Sequence, residues 1–303
     1  MHIAILGTGG VGGYYGAVLA RAGHEVRFWA RGENLAALHQ RGLTVRTPTG
    51  EFTLPVQATS SAAGLEGSEL ALVTVKSYAL ADVAPLAREL AAGGATVLPL
   101  LNGIEVNERL VELGVPAGAL LGGLTAISAE RVAPGVVELR STFQRVVLGE
   151  PDGSRSPRAE RVVEAFRSAS VDVRLSTEIG VELWQKFIFI ASMATTCGLA
   201  HSPIGTVRKA PFGPEFIRAA VSEVVAVART RGIRLPADEI ERVIGVIDGL
   251  PDGMRPSFLV DLLRGGPSEL DALMGTVARL GKALAVPTPT HSAAVAALSP
   301  HPG

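Results

Sequence analysis

The sequence predicts an α/β protein in two parts, a doubly wound parallel sheet followed by an all-helical C-terminal domain. In the first half, short apolar runs alternate with segments of helical spacing, which indicates βαβ units and a parallel sheet. A glycine cluster follows the first apolar run directly. From Thr177 onward, apolar residues recur at spacings of three and four, which is typical of amphipathic helices.

The βαβ pattern assigns strands and helices through the first half of the chain. The predicted strands are His2–Leu6, Glu25–Trp29, Leu70–Val75 and Thr96–Leu101, with helices at Val11–Ala22, Asn34–Arg41 and Ala79–Leu90 between them. Thr44–Val56, with Pro48 and Gly50 near its middle, is predicted to form an inserted hairpin. Gly135–Leu148 has a β-rich composition and is expected to continue the far side of the sheet, with Val171–Leu175 as the last strand.

The second half is predicted to be a helical domain. Its expected helices are Glu178–Ala200, Glu215–Arg231, Ala237–Gly249 and Ser268–Leu284. Ser268 and Asp271 at the start of the last helix have the spacing of a capping box. Pro151–Pro157 is polar and rich in turn residues, as in a surface loop. We therefore predict two domains, residues 1–176 and 177–303.

Composition narrows the class of protein. The 303 residues carry 28 basic and 29 acidic side chains, for a net charge of −1. This balance argues against nucleic-acid binding and against a polybasic membrane anchor. No apolar run approaches the ~18 residues of a membrane span. The single Cys197 allows no intrachain disulfide, which fits the cytoplasm. The six histidines lack metal-ligand spacing, so we expect no metal site.

The glycine cluster Gly7-Thr8-Gly9-Gly10-Val11-Gly12 matches G-x-G-x-x-G between a predicted strand and a predicted helix. In this context Gly7 permits a tight turn, Gly9 lets the backbone approach a pyrophosphate, and Gly12 lets the helix pack on the strand. The helix N-terminus would then present amide donors to the phosphates. The motif predicts a Rossmann-type dinucleotide site, the alternative being a glycine-rich turn without a ligand.

The end of the second strand indicates which dinucleotide binds. An NAD site usually has Asp or Glu there to bind the ribose hydroxyls. Here the strand runs through Trp29 to Ala30 and then Arg31. An arginine suits a 2′-phosphate through a charge-assisted contact. We therefore predict NADP(H), although Arg31 is also compatible with a solvated loop cation.

Further polar residues are candidates for cofactor binding and chemistry, and each has a structural alternative. Lys76 and Asn102 follow predicted strands at the edge where ligands bind in open α/β sheets. Lys76 could equally be a surface lysine, and Asn102-Gly103 an ordinary turn. Lys186 lies among apolar residues, where desolvation would lower its pKa and suit it to general acid catalysis; the alternative is snorkelling to the surface. Glu269 and Ser257 are equally explained by preferences of helix starts.

Together these motifs resemble the ketopantoate reductase (2-dehydropantoate 2-reductase) family along nearly the whole chain. The matching segments, in order, are Gly7-Thr8-Gly9-Gly10-Val11-Gly12, Val73-Thr74-Val75-Lys76, Leu101-Asn102-Gly103, Leu183-Trp184-Gln185-Lys186, Pro256-Ser257-Phe258-Leu259-Val260-Asp261 and Ser268-Glu269-Leu270-Asp271. Their order and spacing are more specific than any single motif. The resemblance implies a Rossmann domain followed by a helical domain of the 6-phosphogluconate-dehydrogenase C-terminal type.

The resemblance also implies roles for individual residues. Lys186 would be the general acid that protonates the new hydroxyl, and Glu269 would orient the substrate oxygen. Asn102 would fix the nicotinamide or the substrate. Ser257 would contact the carboxylate region of the substrate, and Lys76 would assist cofactor or substrate binding.

Two positions depart from the family pattern. Asparagines expected four and eight residues after the catalytic lysine are replaced by Ile190 and Ala194. The leading hypothesis is NADPH-dependent reduction of a 2-keto acid, with 2-dehydropantoate to pantoate in pantothenate biosynthesis as the first candidate. The second is a same-fold reductase of a less polar keto substrate, and the third is a non-catalytic NADP(H)-binding sensor. The apolar helical half would allow a homodimer, with a monomer as the alternative.

Overall fold

The computed structural model describes residues 1–299, which form two compact units. The first unit contains Met1–Leu101 and Val106–Ile179, and the second contains Asn102–Glu105 and the chain from Gly180 onward. The sequence predicts a single boundary after residue 176, which assigns Asn102–Glu105 to the domain that contains the sheet. The segment groups with the helices because Ile104 packs against their core and the Glu105 carboxylate binds the Thr276 hydroxyl.

The first unit contains the strands and is organised around a parallel sheet. The strands are β1 (His2–Leu6), β2 (Glu25–Trp29), β3 (Leu43–Thr47), β4 (Gly50–Leu54), β5 (Gln57–Thr59), β6 (Leu70–Val73), β7 (Thr96–Pro99), β8 (Gly122–Ala126), β9 (Ala129–Ala133), β10 (Val136–Leu139), β11 (Arg145–Gly149) and β12 (Asp172–Leu175). The main sheet has the order β5-β2-β1-β6-β7, and each neighbouring pair is parallel. This confirms the predicted doubly wound parallel sheet.

The central strand β1 shows why the sheet is covered on both faces. Ile3 and Ile5 belong to one apolar cluster, whereas Ala4 and Leu6 belong to another. Side chains alternate between the faces of a strand, so a continuous apolar run requires burial on both sides. All four residues are fully buried.

The remaining strands form two separate sheets, which corrects part of the prediction. The hairpin expected at Thr44–Val56 exists as β3 and β4, but it belongs to a sheet of order β4-β3-β10-β9. The prediction that Gly135–Leu148 continues the main sheet is wrong for β10, which pairs with β3. β11 lies in a third sheet, β12-β11-β8, which a single bridge between Val97 of β7 and Leu120 joins to the far edge of the main sheet. The strand expected at Val171–Leu175 is β12, which pairs with β11. A β-rich composition does not specify a pairing partner.

Helices flank the sheets in the first unit and make up the second. They are α1 (Gly10–Arg21), α2 (Gly32–Arg41), α3 (Leu80–Ala92), α4 (Val106–Glu112), α5 (Pro157–Ser168), α6 (Ile179–Ala200), α7 (Ile204–Lys209), α8 (Gly213–Thr230), α9 (Glu239–Asp248), α10 (Ser257–Arg264), α11 (Thr276–Ala283) and α12 (Pro289–Leu298). The second unit has its own apolar core, to which α6 contributes Trp184, Phe187 and Ile188. Within residues 1–299, no helix is both long and apolar enough to cross a membrane.

The segment predicted as one helix, Ser268–Leu284, has a different start. A π-helical turn, Asp271–Gly275, precedes α11, and the backbone N–H of Thr276 donates to the carbonyl of Asp271 five residues earlier. The Asp271 carboxylate pairs with Arg279, and the capping box at Ser268 stays a prediction.

Candidate active site

The glycine cluster forms the turn between β1 and α1, and each glycine is needed for a different reason. Gly7 has φ +119°, a conformation that L side chains rarely adopt. A Cβ on Gly12 would lie 2.2 Å from the carbonyl oxygen of Gly7, so helix and strand approach too closely for any side chain. A Cβ on Gly9 would meet no atom within 4 Å. The backbone at Gly9 is thus open to a ligand, while Gly7 and Gly12 are closed by packing.

The other members of the cluster fix the turn. The Thr8 hydroxyl is buried and donates to the carbonyl of Trp29 at 3.0 Å, which ties the turn to the end of β2. Gly10 begins α1, and a Cβ there would lie 2.1 Å from the carbonyl oxygen of Ala129. Val11 packs partly buried against the sheet core. The first turn of α1 is uncharged, so its free amides suit the phosphates of a dinucleotide.

Arg31 follows β2 and serves as the N-cap position of α2. Its guanidinium lies over the Trp29 ring, 4.2 Å from the centroid, and Nη1 is 3.5 Å from a carboxylate oxygen of Asp82. The side chain is 57% exposed. Cation–π contact favours this position of the guanidinium, and an exposed ion pair contributes little and exchanges readily. Arg31 is therefore a restrained but accessible cation, two residues after the Trp29 carbonyl that binds the glycine turn.

Lys76 lies in the same unit, beyond the end of β6. It occupies the N-cap position of a short 3₁₀ turn, Ser77–Ala79, and is partly buried. The strand ends at Val73 instead of Val75, because the Thr74 hydroxyl turns to donate to the carbonyl of Gly7 at 2.8 Å. The segment that carries Lys76 is thus attached to the glycine turn.

Asn102 and Glu269 meet in the second unit. Asn102 Nδ2 donates to Glu269 Oε2 at 3.3 Å across 167 positions of sequence. Glu269 is 3% exposed and comes just before the π-helical turn. Gly103 has φ +118°, a conformation that favours glycine, and the backbone bends at Asn102.

Lys186 lies on α6 and interacts electrostatically with Glu269. Burial lowers the pKa of Lys186 from 10.5 to about 8, although the Glu269 charge opposes this shift. Desolvation disfavours the ammonium form more than one nearby carboxylate restores it. At neutral pH the group is still mainly protonated, yet it releases a proton far more readily than an exposed lysine. This is the property that a general acid requires.

Three further residues singled out in the sequence differ in exposure. Ile190 and Ala194 are one and two turns beyond Lys186 on the same face of α6. Ile190 packs partly buried against the helical core, and Ala194 is buried within it. Ser257 is exposed and is the first residue of α10, whose N-cap is Pro256, so the alternative of Ser257 as a helix cap is wrong.

The sequence did not identify the residues that bind Glu105, which lies three positions after Asn102. Thr276 Oγ1 donates to Glu105 Oε2 at 2.9 Å, and Arg279 Nη2 donates to the same oxygen at 2.9 Å. Thr276 and Arg279 are spaced as neighbours on one helical face, which was the only available signal. Trp29 beneath Arg31 was likewise missed, because an aromatic residue ending a buried strand is ordinarily a core residue.

Comparisons with known proteins give matches in both halves of the chain. The family model "Ketopantoate reductase PanE/ApbA" matches residues 3–153, and "Ketopantoate reductase PanE/ApbA C terminal" matches residues 178–301. The 2-dehydropantoate 2-reductase of Pyrococcus horikoshii is 28% identical over 95% of this chain and 93% of its own. These matches span both units of the structure.

Two solved structures are similar over almost the full length. A PanE/ApbA family ketopantoate reductase from Ralstonia eutropha JMP134 is 30% identical, with a TM-score of 0.89, covering 98% of this chain and 97% of its own. A D-mandelate dehydrogenase solved with NADH and anilino(oxo)acetate is 23% identical, with a TM-score of 0.89 and the same coverage, which shows a shared fold only. The chain therefore belongs to the ketopantoate reductase family, whose members are nicotinamide-dependent oxidoreductases that act on CH–OH groups.

Proposed function

We propose that this protein uses NADPH to reduce a 2-keto acid to the 2-hydroxy acid, with 2-dehydropantoate as the first candidate substrate and pantoate as its product. That reaction belongs to pantothenate biosynthesis. One observation carries the proposal: Lys186, with a pKa lowered to about 8, interacts with a buried Glu269 that accepts a hydrogen bond from Asn102. A dinucleotide-binding sensor would need no such group.

The residues of the first unit fit a dinucleotide. The open backbone at Gly9 and the amides at the start of α1 would hold the pyrophosphate. Arg31 would bind the 2′-phosphate, and Lys76 would assist at the next strand end. When bound, NADPH supplies the hydride for reduction.

The residues of the second unit would manage the substrate oxygen and its proton. The Lys186 ammonium would hydrogen-bond the carbonyl oxygen of the substrate and give it a proton as negative charge develops there. Glu269 would accept a hydrogen bond from the resulting hydroxyl and favour the charged form of Lys186. The Asn102 amide would keep the Glu269 carboxylate oriented, and Ser257 would contact the substrate carboxylate. Lys186 recovers its proton from solvent after the reaction.

A less polar keto acid is the second candidate substrate, because of Ile190 and Ala194. Apolar side chains at these positions provide neither donors nor acceptors, so they would leave a polar substituent of the substrate unpaired. A wall of this kind favours an alkyl or aryl group over a hydroxyl, although the discrimination against an added hydroxyl is modest, up to about 100-fold.

The test is turnover, followed as the loss of NADPH absorbance. The panel contains 2-dehydropantoate, 2-ketoisovalerate, 2-ketoisocaproate and phenylglyoxylate. The wild-type enzyme should reduce at least one of them, and Lys186→Ala should lower kcat by a factor of at least about 100. Lys282→Ala, on the exposed surface of α11, is the matched control and should retain full activity. Tight NADPH binding without reduction of any keto acid would instead support a sensor.

The cofactor preference has its own test. NADPH and NADH are compared in the wild type and in Arg31→Ala. If Arg31 binds the 2′-phosphate, kcat/KM for NADPH should fall by about 10- to 100-fold, since a charge-assisted hydrogen bond contributes about 1.5–3 kcal/mol. The value for NADH should change little. An unchanged NADPH preference would show that another group recognises the phosphate.

A further inference from the structure

The segment Asn102–Glu105 is attached to the helical unit at both of its ends and in between. Asn102 Nδ2 donates to Glu269, Ile104 packs against the helical core, and Glu105 Oε2 accepts from Thr276 and Arg279. The chain belongs to the first unit just before and just after this segment. These side chains link the segment to the second unit.

Glu105 accepts hydrogen bonds from two side chains of the helical unit. Thr276 is 1% exposed, so its hydroxyl needs partners within the protein. It accepts from Arg279 Nη2 at 3.2 Å and donates to Glu105 Oε2 at 2.9 Å. The carbonyl of Asp271 lies 3.4 Å from the same hydroxyl. The single hydroxyl proton favours the shorter bond to the charged acceptor, so the Glu105 carboxylate is the principal acceptor for Thr276.

The two attachments lie on either side of the π-helical turn Asp271–Gly275. Asn102 binds Glu269 before the turn, and Glu105 binds Thr276 after it. A segment of four residues therefore joins both flanks of the turn. A shift of Glu105 would be passed through this short segment to the amide of Asn102.

The bond between Asn102 and Glu269 is sensitive to such a shift. At 3.3 Å it is already near the long end of the range for N–H···O bonds. A further displacement of well under 1 Å would break it, and Asn102 would then no longer restrain the Glu269 carboxylate. Misplacement by about 1 Å in an active site can reduce the rate by about two orders of magnitude.

From these contacts we infer that Glu105, bound by Thr276 and Arg279, is a positioning residue that holds Asn102 against Glu269. The inference rests on the proposed function for its effect on rate, but not for its effect on structure. Glu105 contacts neither substrate nor cofactor in this role. It acts only through the Asn102 amide.

Kinetics of a double-mutant cycle test the inference. Glu105→Gln should lower kcat by about 10-fold with little change in KM for NADPH. Thr276→Val removes the same hydrogen bond without changing charge and should give a similar loss. In an Asn102→Ala background, Glu105→Gln should have no further effect. Glu112→Gln, an exposed carboxylate at the end of α4, is the matched control and should behave as wild type.

Two outcomes of the cycle would overturn the inference. If the losses from Glu105→Gln and Asn102→Ala multiply, Glu105 does not act through Asn102. If Glu105→Gln lowers kcat but Thr276→Val does not, the effect comes from charge and not from position.

Hydrogen exchange provides a readout that needs no turnover. In the cofactor-free protein, the peptide covering residues 102–105 should exchange at least about 10-fold faster in Glu105→Gln than in wild type or Glu112→Gln. Unchanged exchange would refute the positioning role. Faster exchange in a protein that reduces no keto acid would uphold the positioning role while the proposed function fails.

Discussion

Replacing Lys186 with methionine should abolish reduction and, at neutral pH, stabilise the helical unit. Methionine keeps the length and flexibility of the lysine stem without the ammonium. Burial lowers the pKa of Lys186 from 10.5 to about 8, so the charged form is disfavoured in the folded state. At about 1.4 kcal/mol per pH unit, this difference opposes folding by about 3 kcal/mol while Lys186 is charged. The catalytic group is thus expected to lower stability, a common relation at active sites.

The pH dependence fixes the sign of the effect. Below pH 8 Lys186 is charged in both states, and the whole penalty is present. Between pH 8 and 10.5 the unfolded chain binds the proton more strongly than the folded one, so stability rises with pH. Above pH 10.5 both states are neutral, and the penalty disappears. The advantage of Lys186→Met should therefore be greatest at pH 7 and should vanish as pH approaches 10.5.

Urea unfolding followed by tryptophan fluorescence measures this effect. The chain has two tryptophans, so in a Trp29→Phe background Trp184 on α6 reports the helical unit alone. Exposed Lys282→Met is the matched control, because other groups that titrate above pH 8 affect both variants equally. Equal stability of the two variants at pH 7 would refute the desolvation of Lys186. A gain that persists undiminished at pH 10.5 would do the same.

Four further substitutions have distinct expected outcomes. Gly12→Ala should lower the melting temperature by several degrees, because its Cβ meets backbone, whereas Gly9→Ala should leave it unchanged and weaken only NADPH binding, as measured by titration of fluorescence. Asp82→Asn should improve kcat/KM for NADPH by less than about 5-fold, because an exposed ion pair competes only weakly with the cofactor for Arg31. Glu223→Gln should cost about 1–3 kcal/mol at pH 7 in urea unfolding. Burial alone would raise the pKa of Glu223, but hydrogen bonds from the start of α12 outweigh it and lower that pKa, so the cost should shrink as pH falls below 4.5.

The main sheet was predictable because its strands carry their signal locally. β1 and β2 have the predicted bounds, since β1 is mostly an apolar run, β2 alternates charged and apolar residues before Trp29, and a glycine follows each strand within three residues. β6 ends early because Thr74 bonds to the glycine turn, a contact between residues 67 positions apart. The pairing of β10 with β3 is similarly non-local, and nothing within Gly135–Leu148 indicates its partner. What could not be predicted from the sequence is which strands and side chains, far apart along the chain, pair with each other.

The same distinction applies to the candidate site. Lys186, Glu269 and Asn102 were predicted because each lies in a motif that resembles the ketopantoate reductase family, and the motifs follow the family's order along the chain. Asn102 and Lys186 each interact with Glu269 in the structure. Their supporting contacts have no such pattern. Glu105 and Thr276 are 171 positions apart, and each is unremarkable in its own segment. Only the folded chain shows that one is the acceptor for the other.

The π-helical turn Asp271–Gly275 also determines the helical phase of Glu269. Such a turn contains one residue more than the α-helical turn that would replace it. Removing one residue, for example Ala272, would allow a continuous α-helix and would rotate everything before the turn by about 100° relative to α11. Glu269 and Thr276 would then point in different directions around the helix axis. The segment Asn102–Glu105 could no longer reach both side chains. The additional residue thus sets the rotation of Glu269 about the helix axis relative to α11. Asp271–Gly275 should therefore tolerate conservative substitutions better than an insertion or a deletion.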